Sequence, residues 1–418
     1  MPDRLEVRIG EYGSALLAES QLTPRDVNRL RALQTHGRLG LEQTPAGWRL
    51  KAGATVGLLV LDRIRLVMEP KFAISGDRLM GWLAYALGAP APLPVTSRHW
   101  ATDLEGYADL VATALLEQCE RLLREGLRRD YVRRQNLEPV LRGRLDFVAQ
   151  TTGRYGQLDK LHTHTFDRET DIWDNRVLAT ALQVARALTT SPELARDLHT
   201  IADAFPKAPP ADAALRALDR TRYTRLNGRY RPAHTWARLL LRGGGVTDIL
   251  SDHGMAADGL LLAMPALWEA VVRRLVTDAA VPHGGHAVPS NGAVGITVRG
   301  DLGSTSAFRP DVLLNLPDRD LKGHMLLPVD AKYKRYDRHG VAAADVHQLL
   351  TYSAGYTSGN DRRALIVHPS TGGHSYRILT VDSPRGCLGN VHVLGIDTQT
   401  LPQEAAAWVG SVLQSPNG

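Results

Sequence analysis

Arg309-Pro310-Asp311-Val312-Leu313-Leu314 and Asp330-Ala331-Lys332, with 18 residues between the two aspartates, are the pair of segments on which the fold and chemistry of this sequence turn. Each acidic residue stands at the edge of an apolar run: Asp311 enters Val312 to Leu316, and Asp330 leaves Met325 to Val329. Short apolar runs bounded by polar residues predict buried strands. Side chains alternate along a strand, so Asp330 and Lys332 are expected on one face and Ala331 on the other. Two carboxylates and one ammonium can then converge. Such a trio suits phosphodiester hydrolysis, in which a hard cation neutralises the charge that repels a nucleophile and makes hydroxide available. Asp311 and Asp330 offer the oxygen ligands that Mg²⁺ prefers, with the Ala331 carbonyl as a third and Mn²⁺ as a substitute ion. Lys332 would orient the attacking water or stabilise the transition state. The plain alternative is a salt bridge across a hairpin.

Working outward, a helix is predicted from Met264 to Thr277, with Pro265 in the first turn, where its missing N–H costs nothing. Glu269 lies in it beside Val272 and Leu275, and a carboxylate buried there would need a partner such as a metal; a charge favoured by the helix start is the alternative. Strands are expected at Val294–Val298, Asp311–Leu316, His324–Val329, Ala364–Val367, Tyr376–Val381 and Val391–Ile396. A helix is expected from Val341 to Tyr356. On that helix Gln348 and Tyr352, four apart, share a face from which an amide and a phenol can help fix a site; a half-buried helix face would carry the same pair. The C-terminal part is therefore expected to be a compact α/β core.

The first hundred residues read as short strands (Leu5–Ile9, Trp48–Leu50, Thr55–Leu61, Ile64–Met68), with Asp62-Arg63 as a hairpin turn, followed by a helix from Ser75 to Leu87. Pro90, Pro92 and Pro94 form a breaker cluster. From Leu104 to about Leu240 the periodicity is helical, and Gly243-Gly244-Gly245 interrupts it. The expected organisation is α+β and multidomain: a β-rich domain over residues 1–95, a mainly helical middle region over 96–245, and an α/β domain over 246–418.

The chain of 418 residues is 44% hydrophobic and 22% charged, an ordinary folded composition with enough apolar material for more than one core. Its longest apolar stretch, Leu260 to Val272, is broken by Pro265 and Glu269 and falls short of the roughly 20 residues of a bilayer span. No basic, apolar leader opens the chain, so a cytoplasmic, membrane-free protein is expected. The two cysteines, Cys119 and Cys387, exclude a disulfide framework or Cys-rich zinc site. A net charge of +6 carried mostly by Arg makes nucleic acid a plausible partner. The Arg121, Arg124, Arg128, Arg129, Arg133 and Arg134 series is interleaved with Glu117, Glu120 and Glu125 and reads as a solvated, mixed-charge face. The pairs His162/His164 and His283/His286 lack further ligands at zinc spacing.

In order and context, Glu269, Pro310-Asp311, Asp330-x-Lys332 and Gln348-x-x-x-Tyr352 resemble the PD-(D/E)xK nuclease superfamily in its RecB-like form. Met68-Glu69-Pro70-Lys71-Phe72, Leu141-Arg142-Gly143-Arg144-Leu145-Asp146-Phe147 and Asp171 to Leu178 resemble the McrC family, the nuclease subunits of modification-dependent McrBC restriction systems. The resemblance covers most of the chain. It implies a C-terminal PD-(D/E)xK core, a Mg²⁺-dependent DNA endonuclease acting on double-stranded DNA, modified or unmodified, and a partner AAA+ ring of the McrB type that hydrolyses GTP or ATP. By the same resemblance the N-terminal region docks on that ring. In agreement, no G-x-x-x-x-G-K-[ST] phosphate loop occurs in the sequence. A stand-alone RecB-like nuclease and a non-cutting regulatory scaffold are the rival readings.

Overall fold

Strands Thr55–Val60 and Ile64–Glu69 pair antiparallel with Leu58 opposite Val67, and the turn closes as the Leu61 amide donates to the Ile64 carbonyl at 2.9 Å. Asp62-Arg63 manages this without Gly or Asn because the Asp62 amide is taken by Oδ1 of Asp26 at 3.1 Å. Asp26 is fully buried, and its Oδ2 also accepts from the Thr23 amide and hydroxyl at 3.1 and 2.9 Å. The Asp26 amide donates back to Thr23 Oγ1 at 3.2 Å, so the pair caps the helix Pro24–Thr35 reciprocally.

The structure, a computed structural model, describes residues 5–35, 37–72, 74–91, 106–189, 191–243, 259–289, 295–300, 303–304, 308–317, 323–357 and 362–414. Val294, Pro92 and Pro94, and Gly244-Gly245, which entered the expected strand and boundaries, lie outside them, and the rest of the expected strand Val294–Val298 forms only an isolated bridge from Ile296 to Phe308. The described residues fall into two units: those up to 107 together with those from 261 on, and those between 108 and 260. The architecture is mixed α/β with several sheets. Among the described residues no helix is long and apolar enough to cross a membrane.

The first unit begins with a four-stranded sheet in the order Leu5–Gly10, Ile64–Glu69, Thr55–Val60, Gly259–Ala263. A three-stranded antiparallel sheet follows, with Gly47–Ala52 between Ser14–Leu17 and Leu39–Thr44. Leu30, Leu50, Leu59, Leu66, Met68 and Leu261 fill the core they share. The helix Gly76–Leu87 ends on Gly88, which adopts the left-handed conformation that Cβ-bearing residues resist.

The rest of this unit is a six-stranded sheet in the order His286–Ala287, Val312–Pro317, His324–Ala331, Arg363–Ser370, Gly386–Asp397, Ser375–Ser383. Val312–Pro317 and His324–Ala331 are antiparallel, whereas His324–Ala331 and Arg363–Ser370 are parallel and joined through the helix Ala343–Tyr356. That crossover helix packs Leu349 and Tyr352 on Ala364, Ile366, Val391 and Val393. The helix Met264–Ala280 carries Pro265 in its first turn and buries Trp268, whose indole donates to the Val367 carbonyl at 3.0 Å. The helix Pro402–Gln414, which hydrophobic periodicity did not single out, closes the chain's described part.

The second unit holds the helices Gly106–Arg124, Trp173–Leu188, Pro192–Ala202, Ala211–Arg220 and Arg231–Leu241. Cys119 is buried among them, and burial pushes its thiol far above the usual range. The expectation of a mainly helical region needs one addition: a three-stranded sheet with Leu161–Glu169 between Asp130–Glu138 and Arg144–Leu145. The Arg series is accordingly divided, since Arg121 and Arg124 lie on a helix and Arg133 and Arg134 on a strand.

Candidate functional site

Antiparallel register sets Val312 opposite Val329, so Asp311, one residue before its strand, arrives beside the end of His324–Ala331. Oδ2 of Asp311 accepts from the Ala331 amide at 2.7 Å. Asp330, 1% exposed, is a charged side chain closing a buried strand. Lys332 follows the strand end, and its ammonium lies 2.6 Å from Asp330 Oδ2 while donating to Gln348 Oε1 at 3.0 Å. The buried Oδ2 meets that ammonium as an ion pair without accepting a well-directed hydrogen bond.

The helix Ala343–Tyr356 completes the arrangement. Gln348 Nε2 donates to the Tyr352 hydroxyl at 3.0 Å and reaches Asp330 Oδ1 at 3.4 Å. The hydroxyl in turn donates to the Arg309 carbonyl at 2.7 Å. The chain Lys332, Gln348, Tyr352, Arg309 therefore runs donor to acceptor in one direction, which fixes the amide orientation and leaves the ammonium to face Asp330. Lys332, Gln348 and Tyr352 meet Asp330 and Asp311 as a single cluster within one unit.

Glu269 differs from its expectation as a buried carboxylate. It is 46% exposed and pairs with Arg273 one helical turn on, at 3.3 Å. Its charge still reaches Asp311, where it adds to burial in raising the Asp311 pKa. Asp345 is a member that sequence reasoning missed. It accepts from Lys334 Nζ at 2.7 and 3.0 Å and from the Tyr336 hydroxyl, and stands 3.9 Å from Lys332. Its spacing of three from Gln348 was the available signal.

Burial, reinforced by the charge of Asp311, pushes the Asp330 carboxyl up to about 6 in spite of Lys332. Burial alone would lower Lys332, but its contact with Asp330 outweighs this and raises it. These directions describe a site with more negative charge than its surroundings solvate, where a divalent cation would replace protons. The oxygen donors fit: two neighbouring carboxylates and the Ala331 carbonyl are the hard ligands of Mg²⁺ or Mn²⁺. Among the described residues no group of three His, Cys, Asp or Glu side chains gathers at ligand spacing, so the backbone carbonyl and solvent would have to complete the shell.

The segments that carried the family resemblance have structural explanations. Gly143 sits at φ +80° with the His164 carbonyl oxygen where a Cβ would stand, so no other residue fits without displacement. Asp146 caps Phe147–Gly153 through the Ala149 amide at 3.1 Å and pairs with His164 at 2.9 Å. Asn175, fully buried, donates to the carbonyls of Arg128 and Thr170 at 2.9 and 2.7 Å.

The family model described as "McrBC 5-methylcytosine restriction system component" matches residues 50–369, well over half of the chain. The chain belongs to this McrBC family. The resemblance drawn from the sequence is borne out at that level. No curated protein matches the chain in sequence. Among solved structures, a chain of the refined half-complex from the tetradecameric assembly of Thermococcus gammatolerans McrB AAA+ hexamers with bound McrC matches with a TM-score of 0.65 at 15% identity, over 97% of this chain and 100% of that one. A chain of the cryo-EM structure of the Thermococcus gammatolerans McrBC complex gives 0.47 at 17% identity, over 66% of this chain and 88% of that one. At such identities the first likeness shows only that this chain shares the fold of the matched chain.

Proposed function

We propose that this chain is the DNA endonuclease subunit of an McrBC-type restriction system, a hydrolase with a PD-(D/E)xK core. The observation that carries the reading is the convergence of Asp311, Asp330 and Lys332 at adjoining strand ends, with Gln348 locking the ammonium in place. Asp311, Asp330 and the Ala331 carbonyl would hold Mg²⁺ or Mn²⁺, with Glu269 near enough to contribute through solvent. When bound, the ion supplies charge neutralisation at the scissile phosphate and a hydroxide-like water at neutral pH.

The chain's own residues do the rest. Lys332 presents a positive charge where a phosphoryl oxygen or attacking water would sit, and its hydrogen bond to Gln348 removes the freedom of a four-carbon stem. Tyr352 ties Gln348 to the backbone at Arg309, immediately before Pro310-Asp311, so one phenol links the helix to the strand that delivers the first carboxylate.

Double-stranded DNA bearing 5-methylcytosine is the substrate that the family description suggests. An AAA+ NTPase ring is the partner, since this chain carries no phosphate loop of its own and the solved counterpart comes from an assembly of McrB hexamers with bound McrC. The test is cleavage of methylated DNA by the chain with its cognate NTPase, nucleotide and Mg²⁺. Asp330→Ala and Lys332→Ala are expected to abolish cutting while folding and assembly persist; undiminished cutting by either refutes the assignment. Cutting without partner or nucleotide would favour a stand-alone nuclease. Calorimetry that finds no Mg²⁺ or Mn²⁺ binding, with NTPase stimulation intact, would favour a scaffold.

A further inference from the structure

Beside the candidate site lies a cluster that the reaction does not use. Glu11 follows Leu5–Gly10 and Lys71 follows Ile64–Glu69, and the parallel pairing of these strands, with Gly10 opposite Glu69, brings the two residues together. The Lys71 amide and the Tyr333 hydroxyl both donate to Glu11 Oε2, at 2.6 and 3.0 Å. Lys71 Nζ donates to the Tyr333 carbonyl at 2.8 Å and stands 4.3 Å from the centroid of the Tyr333 ring, 5.3 Å from that of Tyr12 and 5.4 Å from that of Phe72. Phe72, itself buried, meets the Tyr333 ring at 5.0 Å. Tyr333 is thus held by its hydroxyl, its ring and its carbonyl.

This grip is not what packing alone would select. Glu11 Oε1 is buried with no hydrogen-bond partner among the described residues, an arrangement that costs stability. Tyr12 holds φ +61°, a left-handed conformation uncommon for a bulky residue. Unsatisfied polar groups and backbone outliers retained together point to a role other than holding the fold.

Tyr333 is bonded directly to Lys332. Apart from that link, the Lys332 backbone is held by its amide to the Val367 carbonyl at 2.9 Å and by the Lys334 amide, which donates to its carbonyl at 2.9 Å. We propose that Glu11 and Lys71 are positioning residues that act through Tyr333 to set the approach of the Lys332 ammonium to Asp330 and Gln348. The proposal rests on the nuclease reading of the site. It makes the strand pair at the start of the chain part of the catalytic support.

The test uses the full chain with its NTPase partner, nucleotide, Mg²⁺ and methylated DNA. Tyr333→Phe removes the hydroxyl grip, Lys71→Met removes the ammonium while keeping the stem, and Lys71→Arg restores a cation over the rings. Tyr333→Phe and Lys71→Met are expected to lower kcat about ten-fold or more, since small misplacements of reacting groups are that costly. KM for DNA is expected to be unchanged, and Lys71→Arg to recover most of the rate. Independently of activity, amide hydrogen exchange over 332–334 should accelerate in Lys71→Met and Tyr333→Phe while exchange in Arg363–Ser370 stays fixed. The proposal is overturned if both variants cut at the wild-type rate while Asp330→Ala does not cut. It is equally overturned if exchange at 332–334 is unmoved, or if kcat falls only in step with the melting temperature and Lys71→Arg recovers nothing. A wild type that never cuts refutes the nuclease reading, and the exchange measurement then still decides whether the grip holds the segment.

Discussion

In Arg363–Ser370 every residue from Ala364 onward is buried, whereas in Asp130–Glu138 of the second unit none is. The first strand runs parallel to both neighbours and is covered, so its first half, Ala364 to Val367, is a continuous apolar run. The second belongs to a sheet whose large side chains face solvent: Tyr131 is 69% exposed and Phe166 63%, each directly across from an arginine, Arg168 and Arg133 respectively. That sheet is held by its ladder and by side-chain links such as Asn136 to Thr165 at 3.0 Å. The contrast bears on inference. A carboxylate such as Asp330 at the end of a covered strand carries a desolvation cost that calls for a reason, while a polar residue on the exposed edge strand Asp130–Glu138 calls for none.

The comparison can be broken or sharpened by substitution. The largest effect is expected at the covered sheet's polar exceptions: Asp311→Ala should, like the Asp330 and Lys332 variants, eliminate cleavage in an end-labelled DNA assay without lowering the denaturation midpoint. Next, Ile366→Ala should cost about 2–5 kcal/mol by denaturant unfolding, because it leaves a cavity between the sheet and the helix Ala343–Tyr356. An effect below about 1 kcal/mol would mean that this sheet is less constrained than its burial indicates.

A smaller, pH-dependent effect is expected in the second unit at His234, which is buried between the Asp174 carbonyl at 2.9 Å and the Tyr223 hydroxyl at 3.2 Å. Burial lowers its pKa below the ordinary value. The unfolded chain therefore binds the proton more readily, and stability falls as pH drops below about 6.5, the usual imidazole value. Thermal melts across that range should show the loss, and His234→Gln should flatten it; an unchanged acid slope in the variant would exclude this group as its source. The smallest effect is expected on the open sheet, where Phe166→Ala should shift stability by no more than about 0.5 kcal/mol. A larger loss would show that its aromatic side chains stabilise the unit after all.

The same contrast explains what could be read in advance. The covered strands, the Asp62-Arg63 hairpin and the Pro265 helix start each leave a local signature, and the structure has them. The open sheet does not, because exposed strands need no apolar run; Asp130–Glu138 reads as a continuation of the charged helix before it. The helix Pro24–Thr35 escaped because only Leu30 and Leu33 of its apolar residues are buried, although Thr23 and Asp26 carried a capping signal. At the site, Gln348 and Tyr352 were legible through spacing on one helix. Glu269 was misjudged as buried because Val272 and Leu275 turn inward while residues 269 and 273 turn outward as a pair. The Lys71–Tyr333 contact joins positions 262 apart in sequence, beyond the reach of any local pattern.

One topological detail bears on how the protein is made. The sheet that begins with Leu5–Gly10 is finished only by Gly259–Ala263, with the whole helical unit intervening in the chain. During synthesis the intervening unit is complete in sequence while the opening strands still lack their last neighbour, and contacts so distant along the chain form slowly. The ribosome therefore releases the middle of this molecule to fold before its beginning can close, and the beginning must stay free of misassociation until the later residues emerge.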